Sequence, residues 1–189
     1  AVCLARPMLA DAEWTNKALN QQSASINTCI ACNQACLDHI FVGKLTSCLV
    51  NPFACHELQL IQTPALKRKK VAVIGAGPAG MACAKTAAER GHQVTLFDAL
   101  SELGGQLNIA KTIPGKQEFY EAIRYFKHEL EKLGVEIQLN HRVQADDVRN
   151  FDEIVLASGI HPRQIELEGI NHPKVMTYLD VLRERKPIG

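Results

Sequence analysis

Val71-Ala-Val-Ile-Gly-Ala-Gly-Pro-Ala-Gly80 is the stretch that decides the fold of this chain. Its four leading apolar residues predict a short buried strand, and its three glycines then fit the pattern G-x-G-x-x-G ahead of an Ala-rich helix. Gly75 permits the tight turn, Gly77 lets the backbone approach a pyrophosphate, and Gly80 lets the helix pack close to the strand. The free N–H groups and positive dipole end of that helix favour phosphate. Because both flanks agree, the stretch predicts a nucleotide-binding loop rather than a turn that simply ends a strand.

The segments that follow predict a Rossmann-like α/β domain, in which a parallel sheet carries flanking helices. A helix is expected over 81–90, ended by Gly91, and a strongly amphipathic helix is expected over 117–133. Further strands are expected at 92–97, 135–139 and 153–159. The predicted fold class is therefore α/β, with an FAD/NAD(P)-binding type of domain preceded by a cysteine-rich segment.

Asp98 ends the second predicted strand, roughly 20 residues beyond the first glycine, where an acidic residue grips the ribose hydroxyls. A 2′-phosphate held about 4 Å from its carboxylate would be repelled by roughly 4 kcal/mol at an effective dielectric near 20. No arginine closely follows Asp98 to offset that repulsion. The site is therefore expected to take FAD or NAD and not NADP.

Three further loops are candidates for ligand contact. Gly105 belongs to a glycine pair that permits close backbone approach to a flavin pyrophosphate or ribityl chain, and Gln106 can hydrogen-bond there. Lys116, at the start of the long helix, can reach a phosphate or remain solvated. Gly159 ends the last strand of the motif region and brings backbone near the ligand again. Each position also fits an ordinary loop.

A cysteine-rich segment precedes this domain, with four thiols in the spacing C-x2-C-x3-C-x11-C at Cys29, Cys32, Cys36 and Cys48. A [4Fe–4S] cluster commonly takes three close cysteines and one remote one, whereas structural zinc usually takes two separated C-x2-C pairs. Zinc remains an alternative because spare ligand candidates lie nearby at Cys55, His39 and His56, and free buried thiols are a third interpretation. Cys32 and Cys36 are expected to share one helix face.

Composition and charge exclude several function classes. The chain is 47% hydrophobic, which suits a globular core, and its net charge of +1 argues against a nucleic-acid or membrane-surface partner. The longest apolar stretch, 71–84, is interrupted by Gly and Pro and is too short to span a bilayer. Crowded cysteines suggest metal chemistry in a reducing compartment, expected to be the cytoplasm. Both ends look cut, so a fragment of a larger protein is expected.

Together these stretches resemble the NADPH-dependent 2,4-dienoyl-CoA reductases of bacteria, in the family of trimethylamine dehydrogenase and related flavin and iron–sulfur oxidoreductases. The resemblance covers essentially the whole chain. It is carried by Cys29-Ile-Ala-Cys-Asn-Gln-Ala-Cys-Leu-Asp38, Thr46-Ser-Cys-Leu-Val-Asn-Pro52, Gly75-Ala-Gly-Pro-Ala-Gly80, Gly104-Gly-Gln106 and Leu156-Ala-Ser-Gly159. The cysteine spacing discriminates most, since a plain G-x-G-x-x-G enzyme would lack it.

The resemblance implies four parts for this chain. They are the end of a TIM barrel that holds FMN and the acyl-CoA substrate (1–26), a [4Fe–4S] cluster segment (27–56), a linker (57–69) and the N-terminal part of an FAD-binding domain (70–189). The resemblance makes residues 1–4 a strand of the barrel sheet, after which Ala5 and Arg6 touch the FMN phosphate. It assigns the cluster to the four cysteines.

For the FAD domain, the resemblance implies contacts spread along the cofactor. Ala79 is expected at the phosphates and Asp98 on the ribose. Gln106 and Lys116 are expected on the flavin side or the pyrophosphate, and the backbone of Val143 at the adenine.

The resemblance also implies an order of electron flow. NADPH, bound outside this chain, reduces FAD by hydride, the cluster passes single electrons to FMN, and FMN reduces a 2,4-dienoyl-CoA in unsaturated fatty acid oxidation. Because the chain carries neither the proton donor of the barrel nor an NADPH site, the fragment is not expected to complete the reaction alone. Two alternatives stay open: a related trimethylamine dehydrogenase-like or enoate reductase-like flavoenzyme, and a zinc-stabilised NAD-binding interaction module without redox work.

Overall fold

A sheet of parallel strands forms the centre of the structure, a computed structural model that describes residues 2–163 and 165–188. The strands are β1 (Lys70–Ile74), β2 (Gln93–Phe97), β3 (Glu136–Gln138) and β4 (Glu153–Leu156), in the spatial order β3-β2-β1-β4. All neighbouring pairs are parallel, so each needs a crossover connection. Helices α4 (Pro78–Glu89) and α6 (Glu118–Lys132) supply two of these crossovers. The predicted parallel sheet with flanking helices is confirmed.

One face of the sheet packs against α4 and α6 and forms the main core. Along each strand alternate side chains point to this face, as the two-residue period of a strand requires. The largest fully buried side chains are Met81, Leu96, Leu130 and Val73. Leu130 belongs to the apolar stripe of α6, so the helical spacing correctly indicated which face of that helix is buried.

The opposite face of the sheet is only partly covered. Ala72, Phe97 and Val148 form a small buried cluster there, where the 3-10 turn Ala145–Val148 lies against the sheet. Along β4, Ile154 and Leu156 remain exposed on this face. The core is therefore asymmetric, because one face of the sheet is fully packed and the other is partly exposed. The glycine loop leads from β1 into α4 on the fully packed face.

The N-terminal third of the chain contains only short helices joined by irregular segments. Bounds of the remaining helices are α1 Arg6–Ala10, α2 Trp14–Leu19, α3 Leu37–Phe41, α5 Leu107–Ala110 and α7 Tyr178–Leu182. Residues 2–4 form no strand pairing within the described part of the chain, and Ala1 lies outside it. The strand expected at residues 1–4 was assigned to a larger sheet, so it stays a prediction. No helix among the described residues has both the length and the apolar character needed to cross a membrane.

Backbone packing requires two glycines at the junction of β1 and α4, Gly75 in the loop and Gly80 in the first turn of the helix. Gly75 has a φ of +110°, and a Cβ there would lie 2.3 Å from the carbonyl oxygen of Ala157. A Cβ on Gly80 would lie 1.7 Å from the carbonyl oxygen of Gly75. At Gly77, in contrast, a Cβ would meet nothing within 4 Å. Gly75 and Gly80 therefore serve the fold itself, whereas Gly77 leaves an open surface in front of the helix.

Substitution at two of these glycines separates the two roles. We expect Gly80→Ala to lower the free energy of unfolding by about 1–3 kcal/mol, because the added methyl group must displace the backbone carbonyl of Gly75. Gly77→Ala should change stability by less than about 1 kcal/mol, because its φ of −72° and ψ of −179° suit alanine. Urea denaturation measures both values, and equal losses in the two variants would contradict the packing role of Gly80.

Candidate functional site

The N-terminus of α4 lies directly behind the glycine loop and has free backbone donors. Gly77 is the N-cap in an extended conformation, Pro78 is the first helical residue, and no side chain caps this end. The amides of Ala79 and Gly80 lie in the first turn, where the helix supplies no acceptor for them. Since Ala79 is exposed, an anion in front of the loop can receive these N–H groups together with the positive end of the helix dipole.

Asp98 lies at the carboxyl end of β2 and is held against the glycine loop. Its Oδ2 accepts the amide of Ala76 at 2.6 Å and its Oδ1 accepts the amide of Leu100 at 2.8 Å. A carboxylate has further lone pairs, so it can still accept ribose hydroxyls while these amides orient it. The position agrees with the ribose role expected of Asp98. The amide of Ala76 is used by this contact, which the sequence pattern did not indicate.

The loop of Gly105 and Gln106 packs directly on the glycine loop. A Cβ on Gly105 would lie 2.9 Å from the Cα of Gly77, so the two backbones approach as closely as glycine allows. Gln106 donates from Nε2 to the carbonyl oxygen of Ile160 at 3.0 Å, one residue beyond Gly159. The structure therefore brings together the glycine loop, the Gly104-Gly105 pair and the end of β4 at one edge of the sheet.

Lys116 and Val143 lie further from the glycine loop. Lys116 is exposed just before α6, with its ammonium 6.0 Å from the centre of the Phe119 ring. Val143 is half-buried on the less covered face of the sheet and lines an open pocket with Ile74, the last residue of β1. Val143 is therefore at the carboxyl edge of the sheet, as an adenine contact would need. The position of Lys116 on the flavin side stays a prediction.

The four cysteines of the predicted metal segment line one narrow pocket that is partly open to solvent. The rest of its lining comes from Arg6, Leu9, Ile30, Asn33, Ala35, Leu49 and Val50. The expectation that Cys32 and Cys36 share a helix face is wrong, because Ala31 and Asn33 take positive φ angles of 53° and 60°. Helix α3 begins only at Leu37.

The thiol of Cys48 is partly buried in the pocket. Burial is the main cause that raises the pKa of the Cys48 thiol above its ordinary value, and the thiolates of Cys29 and Cys32 raise that pKa further. The amides of Val50 and Asn51 act in the opposite direction, because they stabilise the thiolate. A bound metal cation would offset both the burial and the repulsion between these sulfurs.

The spacing of the thiols bears on the kind of metal centre. Four thiolates on one tetrahedral zinc lie roughly 4 Å apart, given Zn–S bonds of about 2.3 Å. Among the residues that the structure describes, no three His, Cys, Asp or Glu side chains are grouped in a way that could hold a single metal ion. A cluster of iron and sulfide is a larger object, and its thiolates stand further apart. Four cysteines are the residue types that a [4Fe–4S] cluster takes, and the cluster itself stays a prediction. The amide of Ala31 lies 3.5 Å from the sulfur of Cys29.

The spare zinc candidates do not join the pocket in the described part of the chain. The Nδ1 atoms of His39 and His56 pair with backbone carbonyl oxygens of Leu45 at 2.9 Å and Ala54 at 3.0 Å. Cys55 is exposed. The four thiols of the spaced motif therefore line one pocket without these three side chains, and their role as metal ligands stays a prediction.

Arg6 lies at the mouth of the cysteine pocket, at the first position of α1. Its Nη1 donates to Oδ1 of Asn33 at 2.6 Å, between the second and third cysteines. The expected placement of Ala5 and Arg6 at the end of a strand is wrong for the described chain, because Pro7 supports a helical first turn instead. Contact of either residue with an FMN phosphate stays a prediction.

Sequence reasoning missed one group of polar residues on α6. Arg124, His128 and Lys132 recur every four residues and so share one helix face. In the structure all three contact the segment that precedes the first cysteine. The regular spacing of these basic residues, beside an apolar stripe, was the signal available in the sequence.

Comparison with known proteins agrees with this arrangement. A sequence profile described as pyridine nucleotide-disulphide oxidoreductase matches residues 69–188. A metal reductase of Desulforamulus reducens is 38% identical over 98% of this chain and 29% of its own length. A bilirubin reductase of Mediterraneibacter gnavus is 37% identical over 100% of this chain and 30% of its own length. A solved complex of 2-naphthoyl-CoA reductase with 2-naphthoyl-CoA matches with a TM-score of 0.92 and 36% identity, covering 98% of this chain and 29% of that chain.

The chain therefore spans about 30% of the length of these curated relatives, and the match includes the cysteine segment as well as the α/β domain. The relatives are named as reductases, so their shared activity is oxidation and reduction. The parallel sheet, the glycine loop and the matched profile lead to one conclusion: the chain belongs to the pyridine nucleotide-disulphide oxidoreductase family, whose FAD/NAD(P)-binding fold residues 69–188 carry.

Proposed function

We propose that this chain is the electron-transfer part of a flavin- and iron–sulfur-dependent oxidoreductase. The observation that carries the proposal is that Cys29, Cys32, Cys36 and Cys48 line one pocket in the same chain as a dinucleotide-binding loop. When bound, FAD would take up a hydride from NADPH and a [4Fe–4S] cluster would pass electrons singly towards FMN. A one-electron relay is what two flavins need when they are too far apart for hydride transfer.

The residues of the α/β domain would hold FAD by its polar groups. The first-turn amides of α4, including that of Ala79, would donate to the pyrophosphate. Asp98 would accept hydrogen bonds from the ribose and repel a 2′-phosphate. The close packing of Gly105 against the glycine loop leaves room for backbone contact with the cofactor, and Gln106 holds that loop to the end of β4.

We also propose that the substrate is selected outside this chain. The matched segment is shared by proteins named as reductases of a metal, of bilirubin and of 2-naphthoyl-CoA. These three electron acceptors have little other chemistry in common. A CoA thioester such as a 2,4-dienoyl-CoA is the proposed substrate, supported by the solved 2-naphthoyl-CoA complex. Arg6, beside the cysteine pocket, is the proposed contact of this chain to the FMN phosphate.

The cluster assignment predicts the metal content of the full-length protein. Purified without oxygen, the protein should contain about four iron atoms and four acid-labile sulfides per chain at this site. Cys29→Ser, Cys32→Ser, Cys36→Ser and Cys48→Ser should each lose most of that iron, because a thiolate ligand is removed. Cys55→Ser is the matched control, since Cys55 is exposed and outside the pocket. Zinc without sulfide, or an equal loss of iron in the control, would refute the assignment.

The role of Asp98 predicts a change in flavin affinity. Asp98→Asn should weaken FAD binding by about tenfold or more, because a hydrogen bond to a charged group is worth roughly 1.5–3 kcal/mol. Titration of the flavin-depleted protein, followed by flavin fluorescence, measures the affinity. Asp146→Asn is the control, because Asp146 is exposed and pairs only with Arg149 in the described residues. Unchanged FAD affinity in Asp98→Asn would remove the ribose contact from the proposal.

A further inference from the structure

A short buried segment, Ala24–Asn27, lies between α6 and the cysteine pocket, and we call it the brace. Arg124 donates from Nη1 to the carbonyl oxygen of Ala24 at 2.7 Å and from Nη2 to that of Ile26 at 3.3 Å. The Nε of the same guanidinium donates to Glu121 at 2.6 Å, which orients it. One side chain of the α/β domain therefore holds two backbone carbonyls of the brace with the planar fork of donors that only arginine offers.

Two further residues of α6 contact the brace at Ser25. The Nε2 of His128 lies 3.1 Å from Oγ of Ser25, and Nζ of Lys132 lies 3.4 Å from the same atom. Ser25 is only 5% exposed, so its hydroxyl depends on these partners rather than on water. The brace is thus attached to α6 along two turns of the helix.

The other side of the brace is attached to the cysteine pocket through Asn27. The backbone amide of Asn27 donates to Asp11 at 2.8 Å, and its side-chain Nδ2 donates to the carbonyl oxygen of Val50 at 2.9 Å. Asn27 is two residues before Cys29, and Val50 is two residues after Cys48. A single asparagine therefore connects the first and the last thiol-bearing turns of the pocket to the brace.

The covalent connection between the cysteine segment and the α/β domain is the linker. Residues 57–69 join them, and apolar side chains of this linker such as Leu58, Ile61 and Leu66 are exposed rather than packed. Its later residues are tied to the end of α4 by polar contacts instead: the amide of Ala65 donates to the carbonyl oxygen of Arg90 at 2.9 Å, and Nε of Arg90 donates to that of Thr63 at 3.1 Å. These contacts hold the linker to the α/β domain and do not reach the lining of the cysteine pocket. The contacts of α6 with the brace, in contrast, lead directly to the cysteine pocket, so they are the ones that can position it on the α/β domain.

We propose that Arg124 is a positioning residue that sets the distance between the cysteine pocket and the dinucleotide site. Helix α6 packs with α4 in the main core, and the N-terminus of α4 forms the dinucleotide loop, so α6 is fixed relative to that loop. Through the brace, Arg124 extends this rigid frame to the first and last cysteines. The inference rests on the proposed relay, because the distance matters for function only if electrons pass between the two sites.

Comparison of two variants of the full-length protein tests this inference. Arg124→Ala removes the clamp, and Lys127→Ala, on the same helix but exposed and paired only weakly with Glu131 at 4.0 Å, is the matched control. The first readout is amide hydrogen exchange in residues 24–29. Exchange there should be about tenfold faster in Arg124→Ala, because one hydrogen bond from a charged donor is worth roughly a factor of ten. Exchange in Lys127→Ala should match the wild type.

The second readout separates positioning from general loss of structure. NADPH or NADH, whichever reduces the wild-type flavin, is mixed rapidly with each protein, and flavin and cluster absorbance are followed. The nicotinamide is oxidised as its hydride brings two electrons to FAD, and these leave FAD in two single transfers through the cluster to FMN. In Arg124→Ala we expect unchanged flavin reduction and a severalfold slower cluster step, with iron and FAD content retained.

Each outcome has a distinct meaning. Unchanged exchange in the brace, or equal slowing of flavin and cluster reduction, would overturn the role of Arg124. Wild-type protein without iron, sulfide or FAD would overturn the proposed function instead, whatever the exchange data show. If Arg124→Ala does not fold, Arg124→Lys replaces it. Lysine keeps the charge but lacks the planar fork whose separate nitrogens reach Ala24, Ile26 and Glu121, so it should show the same selective slowing in smaller measure.

Discussion

Close contact between backbone atoms at the β1–α4 junction is the constraint on which the rest of this structure depends. With no Cβ on Gly80, the first turn of α4 can lie against the carbonyl of Gly75, and Gly75 itself can lie against the end of β4. That contact directs the free amides of α4 to the carboxyl edge of the sheet. Asp98 and the loop of Gly105 then bind to the same junction, so the candidate cofactor site is a direct consequence of helix-on-strand packing.

The cysteine pocket depends on a different kind of interaction. Its segment has little regular secondary structure, and side-chain amides and a carboxylate hold its turns together instead. Asn27 and Asn51 join distant turns by donating to the carbonyls of Val50 and Leu9, and Asp11 accepts from both Lys17 and the brace. Buried polar groups of this kind are costly unless all are paired, so they specify one arrangement of the loops. Metal binding would add to that specification, since neighbouring thiolates repel one another unless a cation lies between them.

The two regions differ in how far local sequence determined them. The strands and the two long helices of the α/β domain, α4 and α6, were predictable within a few residues, because burial imposes a period of two on strands and 3.6 on α6. The short helix α1 was not, and neither was the break between Cys32 and Cys36. Left-handed conformations at Ala31 and Asn33 produce that break, and neither residue type requires them. Such conformations persist only where surrounding contacts stabilise them.

The sequence by itself therefore determined the class of fold, the uncapped N-terminus of α4 behind the glycine loop and the identity of the candidate thiol ligands, because glycine spacing and cysteine spacing act over a few residues. Only the tertiary structure decided that the thiols converge on one pocket, that Asp98 is tied to the amide of Ala76, and that Arg124 reaches the brace about 100 residues away in the chain. The physical reason is that hydrogen bonds between distant loops leave no periodic pattern in a sequence, whereas burial of a helix or strand does.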